Sequence, residues 1–309
     1  MPRTALYGYW MRDFILLTHT DLDGTGCAVL ARAVLGPAAT IRRVENGAID
    51  AELEACLSQR MSDPKQHQVV VTDHGLGEAA TTAAAAFAAA GGEFRLLDHH
   101  LSSKPLAVHD WATIDSARSA TGLFFEHLGR PPAWSEFSTL VEDHDLWRHQ
   151  DARSARLAAL LGLLGSERFM ERFVARPEVV FSEAESLILE RDAAWREEFL
   201  VKKVAQARVL EIGGERWALV YAEQHQSDLA ERMMETLQVS ATAIVNPAKR
   251  TVSLRGRGVD VSAIAERHGG GGHARAAAFS FRGTPLELDL ERFEAALDSR
   301  LAPPEEGEE

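Results

Sequence analysis

Three times in the first hundred residues a short apolar run ends abruptly in a cluster of aspartates and histidines, and this recurrence constrains the fold more than any other feature. Phe14-Ile15-Leu16-Leu17 leads into His19-Thr20-Asp21-Leu22-Asp23-Gly24, Val69-Val70-Val71 into Asp73-His74-Gly75, and Phe94-Arg95-Leu96-Leu97 into Asp98-His99-His100. Continuous apolar runs of this length suit strands buried on both faces, and Cys27 to Leu35 and the alanine-rich Ala79 to Ala90 between them have helical spacing. Strand, turn and helix in alternation predict an α/β domain on a doubly wound, mostly parallel sheet. Such sheets bind ligands beyond the carboxyl ends of their strands, where each polar cluster falls.

The pattern then changes. From Arg153 to Val204 apolar and charged residues alternate at helical spacing, with Leu157, Leu160, Leu161 and Leu164 early and Leu187, Leu189, Trp195 and Phe199 late, which reads as a helical connection. Beyond Arg208, Trp217 to Tyr221, Ala243 to Val245 and Thr251 to Leu254 read as short strands around a helical Ser227 to Leu237. The expected organisation is a first domain over 1–182, a helical connector over 183–205, and a second, smaller α/β domain over 206–300, with a cleft between the two domains. The acidic, proline-bearing 301–309 reads as a disordered tail.

A chain of 309 residues, 46% hydrophobic, has material for two cores. Its net charge of -13 repels polyanions and argues against a groove for long duplex nucleic acid. Ala79 to Ala90 is too short and too weakly apolar to span a bilayer, and the first thirteen residues lack an export signal, so a cytoplasmic location with no membrane partner is expected. Cys27 and Cys56 stand far apart and suggest core thiols rather than a disulfide or a thiolate zinc site.

His19, Asp21 and Asp23 occupy alternate positions after a strand, so an extended backbone aims all three to one side, as metal ligands require. Imidazoles and several carboxylates without sulfur favour manganese over zinc. Each cluster alone also has an ordinary reading: a capping histidine, an Asp-His-Gly turn, a solvated strand end, or, for Asp143-His144-Asp145, a helix end packed by Trp147. An ordered series of them is what a dinuclear centre needs. The string Gly269-Gly270-Gly271-Gly272-His273 lets backbone amides approach an anion, and its apolar flanks disfavour a linker. Ser119 and Thr121 open a helix whose amides can meet a phosphate, an N-cap being their ordinary role.

Taken together, these motifs resemble those of the DHH phosphoesterases: His19-x-Asp21-x-Asp23-Gly24 is similar to the first motif, Asp73 to the second, Asp98-His99-His100 to the third and Asp143 to the fourth. The resemblance implies two divalent metal ions, manganese by preference, one held by His19, Asp21 and Asp73 and the other by Asp23, Asp73, His99 and Asp143. It places His100 beside the substrate phosphate, with Asp98 orienting the neighbouring imidazoles, and leaves Asp145 as a competitor to Asp143. The segment from Val261 to Ala277 resembles the glycine-rich motif of the DHH-associated domain, which implies substrate contacts from Arg255, Gly270, Gly271, Gly272 and His273. Here Arg255-Gly256 departs from the usual arginine-serine pair, with Arg257 close by.

The implied activity is metal-dependent hydrolysis of very short oligoribonucleotides, linear dinucleotides or cyclic nucleotides to mononucleotides, as in the nanoRNase and cyclic-nucleotide phosphodiesterase branch. A single-strand exonuclease, a pyrophosphatase-like phosphohydrolase and a non-catalytic nucleotide sensor are the alternatives. The expected partner is a short oligonucleotide or small nucleotide, and a homodimer is left open.

Overall fold

The structure, a computed structural model, describes residues 12–45 and 47–281, so the tail over 301–309 and the stretch 282–300 of the expected second domain lie outside the described residues. Five strands build the first sheet: β1 (Asp13–Thr18), β2 (Thr40–Arg43), β3 (His67–Thr72), β4 (Glu93–Asp98) and β5 (Ala112–Ile114). They lie in the order β2-β1-β3-β4-β5 and every neighbouring pair is parallel. The register sets Thr18 opposite Thr72 and Thr72 opposite Leu97, so the strands carrying the three polar clusters end side by side. The hydroxyl of Thr72 donates to that of Thr18 at 2.7 Å and ties two of these ends together.

Side chains alternate across the sheet, so each strand feeds two cores. Phe14, Leu16, Val70 and Leu97 face one side, where they pack with α1 (Leu22–Leu35), α4 (Ala120–His127), α5 (Ser135–Asp145), α6 (Ala152–Leu164) and α7 (Ser166–Ala175). Ile15, Leu17, Val69, Val71 and Leu96 face the other, against α2 (Ile49–Ser58) and α3 (Glu78–Ala89). Cys27 and Cys56 are buried free thiols, one in each core.

The expected connection beginning at Arg153 is corrected in its first half. Leu157, Leu160, Phe169 and Phe173 of α6 and α7 are fully buried in the same core as Phe137, because their apolar faces are wide enough to cover the α1 side of the sheet. The connecting element is α8 (Glu183–Gln206), a single helix of 24 residues. The chain divides into two compact units, Met1–Leu189 and Glu190–Glu309, and the division falls inside this helix. No described helix is long and apolar enough to cross a membrane.

The second unit holds β6 (Arg208–Ile212), β7 (Glu215–Tyr221), α9 (Gln226–Leu237), β8 (Ala241–Asn246), β9 (Thr251–Gly256), α10 (Val261–Arg267), β10 (Gly271–His273) and β11 (Ala276–Ser280). Its sheet runs β10-β11-β9-β8-β7-β6, and β7 with β8 is the parallel pair in an otherwise antiparallel set. Trp217, Leu219, Val252, Leu254 and Phe279 fill one face with α10, while Val220 and Ile244 meet Leu229 and Met233 of α9 on the other.

One glycine in the first turn of α1 is required by close approach. A Cβ on Gly24 would lie 2.2 Å from the backbone oxygen of His19, so the chain between them closes only with hydrogen there. We predict that Gly24→Ala destabilises the protein by about 1–3 kcal/mol, read as a lower melting temperature in thermal denaturation. An unchanged melting temperature would mean that the loop gives way freely.

Candidate metal centre

Each polar cluster reaches the rim because the strand before it ends there. Asp21 is the N-cap of α1, its Oδ1 accepting from the amide of Gly24 at 3.0 Å, and this turn sets His19 and Asp21 together above β1. Asp73 follows β3 with φ of 60°, in the left-handed region that non-glycine residues enter at a cost and chiefly at functional sites. Its amide donates to the carbonyl of Leu97 at 3.1 Å, which holds the strained residue against β4. Asp98 closes β4, and His99 and His100 follow it onto the rim.

Two triads result. His19 Nδ1 lies 3.0 Å from Asp21 Oδ2 and 3.7 Å from Asp73 Oδ2. His99 Nε2 lies 3.2 Å from Asp73 Oδ1 and 3.9 Å from Asp23 Oδ2, and its Nδ1 lies 3.5 Å from Asp145 Oδ2. In each of the groups His19/Asp21/Asp73 and Asp23/His99/Asp145, one potential ligand atom per residue falls within 4.8 Å of the others. Asp73 touches both histidines and so joins the groups.

Burial, then the neighbouring charges of Asp23 and Asp21, push the Asp73 carboxyl up to about 12. The same causes push Asp145 up to about 8, and burial raises Asp23 as well. Asp21 is also desolvated, but its hydrogen bonds from His19 and the Gly24 amide win and hold it at about 2. Oδ2 of Asp73 and Oδ2 of Asp145 are buried with no hydrogen-bond partner, an arrangement that costs free energy unless something positive sits among them. Divalent cations would satisfy both oxygens and cancel the repulsion that keeps these carboxyls protonated, so the donor set fits metal.

Beside the triads stands a hydrogen-bonded pair. His100 Nδ1 is 2.7 Å from Asp98 Oδ1, and the hydroxyl of Ser103 donates to the other carboxylate oxygen of fully buried Asp98. This bond, opposed by partial burial, raises the pKa of His100 and makes it a half-exposed imidazole inclined to carry a proton.

The fourth motif is corrected by two positions, from Asp143 to Asp145. The oxygens of Asp143 accept from the amides of Gln150 at 2.9 Å and Asp151 at 3.3 Å, so this carboxylate pins the turn after α5 and is spent there. Residues two apart on a helix point to roughly opposite sides, at about 200°. Asp145 therefore faces His99 because Asp143 faces the turn. The spacing alone could not phase the helix.

His74 was not singled out by the sequence. It is buried, its ring stands edge-on to His19 at 5.2 Å, and burial lowers its pKa. Its place after Asp73 was the one available signal.

The helix opened by Ser119 and Thr121 greets a carboxylate of the protein itself. Ser119 Oγ caps α4 by accepting from Gly122, and the amides of Ala120 and Thr121 donate to Asp23 at 2.6 and 2.8 Å. These amides are thus occupied, and the positive end of α4 holds Asp23 in place.

In the second unit the glycine string is partly structural. Gly269, with φ of 72°, closes α10, and Gly271–His273 then forms edge strand β10 against β11. A Cβ at Gly270 would lie 2.1 Å from the oxygen of Ala278, and one at Gly272 would lie 2.5 Å from that of Ala276. Packing against β11 thus explains these two glycines, which sequence reading had assigned to a phosphate nest. Gly271 and His273 are exposed, and nothing lies within 4 Å of a Cβ placed at Gly271. Arg255 of β9 donates to Ser227 Oγ at 3.1 Å and to the carbonyl of Leu254 at 3.0 Å. No acidic side chain among the described residues pairs with it, and burial lowers its pKa.

Comparison with known proteins finds relatives in sequence and in fold. Residues 219–302 match the DHHA1 domain. The chain is 29% identical over 295 residues to the oligoribonuclease NrnB of Bacillus subtilis, covering 88% of this chain and 74% of that protein. Its fold is similar to that of the pGpG-specific phosphodiesterase PggH from Vibrio cholerae, with a TM-score of 0.55 at 16% identity over 93% of this chain and 98% of the other. It is similar also to RecJ from Thermus thermophilus in complex with Mn2+, with a TM-score of 0.56 at 16% identity over 97% of this chain and 54% of that one. The fold is thus similar to that of DHH-type phosphoesterases. The chain is similar to the DHH family, and its second unit matches the DHHA1 domain.

A pH test follows from Asp145. Its folded carboxyl titrates at about 8, whereas an unfolded aspartate titrates near 3.9. The folded state therefore holds the extra proton between these values, and this group's contribution to stability is lost as pH rises from about 4 to about 8. Asparagine mimics the protonated form. In metal-free protein we predict that Asp145→Asn gains melting temperature over the wild type, increasingly from pH 5 to pH 8. Parallel curves for the two proteins would contradict the crowding of carboxylates.

Proposed function

We propose that this chain is a metal-dependent phosphodiesterase that hydrolyses very short oligoribonucleotides or linear dinucleotides to mononucleotides. The observation that carries the reading is the pair of histidine–aspartate triads joined through Asp73. The oligoribonuclease name of the Bacillus subtilis relative and the pGpG specificity in the name of PggH support the substrate class. The net charge of -13 supports small substrates over long polyanions.

In this reading His19, Asp21 and Asp73 hold one divalent cation, and Asp23, Asp73, His99 and Asp145 hold a second, manganese being the better match to mixed imidazole and carboxylate donors. When bound, such ions polarise the phosphoryl oxygens and bring the pKa of water into the neutral range. Asp23 is aimed by the amides of α4. His100, held by Asp98, directs a proton-bearing nitrogen at a phosphate oxygen as charge develops there. Ser103 fixes Asp98, so the orientation of His100 is set before substrate arrives. The second unit presents the guanidinium of Arg255, suited to a phosphate or base, with Gly271 and His273 exposed on β10.

A single-strand exonuclease is the second reading, and the likeness of fold to RecJ favours it. The two separate on a panel of dinucleotides, cyclic nucleotides, a long RNA and pyrophosphate, supplied with manganese and resolved by chromatography. We predict turnover of the dinucleotides and shortest RNAs, with Asp73→Ala abolishing it while leaving the circular dichroism spectrum unchanged. Arg255→Ala is expected to raise KM about tenfold or more, in line with loss of a charge-assisted hydrogen bond. Binding without turnover across the whole panel would make the protein a nucleotide sensor instead.

A further inference from the structure

The turn between α5 and α6 is more constrained than a connection requires. Trp147 and His149 both hold left-handed backbone, with φ of 53° and 49°, which bulky residues adopt rarely and at a cost. The turn is fastened from several sides. Asp143 accepts from the amides of Gln150 and Asp151, and the guanidinium of Arg148 donates to Glu142 at 3.2 Å and to the carbonyl of Ala117 at 2.8 Å. The amide of Trp147 donates to the carbonyl of His144 at 3.0 Å.

What this turn presents is an indole. Trp147 is 57% exposed, so it forgoes most of the stabilisation that core burial would give. Its ring stands edge-on to His149 with centroids 4.4 Å apart and tilted against His144 at 6.3 Å, contacts that fix its orientation. It follows Asp145 by two residues, which limits the Cα separation to about 7.6 Å. The backbone that carries this π-surface thus lies beside Asp145, within a span like that between a phosphate and the base of its own nucleotide.

We propose that Trp147 is the base-stacking residue of the centre, its indole supporting the nucleobase of the nucleotide whose phosphate enters beside Asp73 and Asp145. Stacking tolerates any base, because every base has a π-face, and so suits an enzyme that recognises shortness rather than sequence. The inference rests on the phosphodiesterase reading and names a contact to its substrate.

The test compares wild type, Trp147→Ala and Trp147→Phe, with manganese, on a dinucleotide and on an analogue in which one nucleotide is abasic. Trp147→Ala is expected to raise KM for the dinucleotide about tenfold with kcat little changed, and Trp147→Phe to recover most of the loss. The penalty of the alanine variant is expected to shrink on the abasic analogue. A wild-type KM in Trp147→Ala, or an equal loss on both substrates, overturns the proposal and leaves the indole a purely structural role. If the wild type turns over neither substrate, the activity reading falls separately. The stacking contact is then decided by titrating the dinucleotide against tryptophan fluorescence: quenching lost in Trp147→Phe upholds it, and equal quenching in both proteins overturns it.

Discussion

Four aspartates crowded onto one rim are the constraint on which the rest of this structure depends. Asp23, Asp73 and Asp145, with Asp21 at the exposed edge, face two imidazoles where water is largely withdrawn, and without added positive charge they cannot all ionise. The protein nevertheless works to hold them there. It keeps Asp73 in a left-handed backbone, sets the amides of α4 on Asp23, and closes the first loop so tightly that only glycine fits at position 24. A fold that spends strain and helix ends on gathering like charges is built to receive cations.

The parallel register of the sheet makes this gathering possible. Because β1, β3 and β4 end level with one another, residues separated by some eighty positions in sequence emerge side by side. Helix α5 completes the set from outside the sheet, with its last turn carrying Asp145 inward and Asp143 toward the following turn. The outer layer of the centre is then a matter of hydrogen bonds: Ser103 on Asp98, Asp98 on His100, and Arg148 and Asp143 on the turn that bears Trp147.

Much of this was legible in the sequence, for physical reasons. Strands buried on both faces announce themselves as unbroken apolar runs, so β1, β3 and β4 were readable, and so were the polar residues at their ends. The edge strands β2 and β5 were not, since Thr40 to Arg43 is largely polar and Ala112 to Ile114 is only three residues long. Helices α6 and α7 looked like a connector because periodicity reports an apolar face without saying what covers it. The choice between Asp143 and Asp145 depended on the rotational phase of α5, which no spacing rule supplies. The glycine string is ambiguous in a similar way, for absence of a side chain serves close strand packing at Gly270 and Gly272 as readily as it serves a phosphate.

We propose that these side chains would hold a pair of divalent cations, with Asp73 common to both sites. It is tested most directly by anomalous diffraction at the manganese edge from crystals grown with the ion. Two anomalous peaks about 3.5–4 Å apart are expected, with Asp73 between them, His19 and Asp21 on one, and His99, Asp23 and Asp145 on the other. A single peak, or density at Asp143 with the rim of Asp73 and Asp145 left bare, would contradict it.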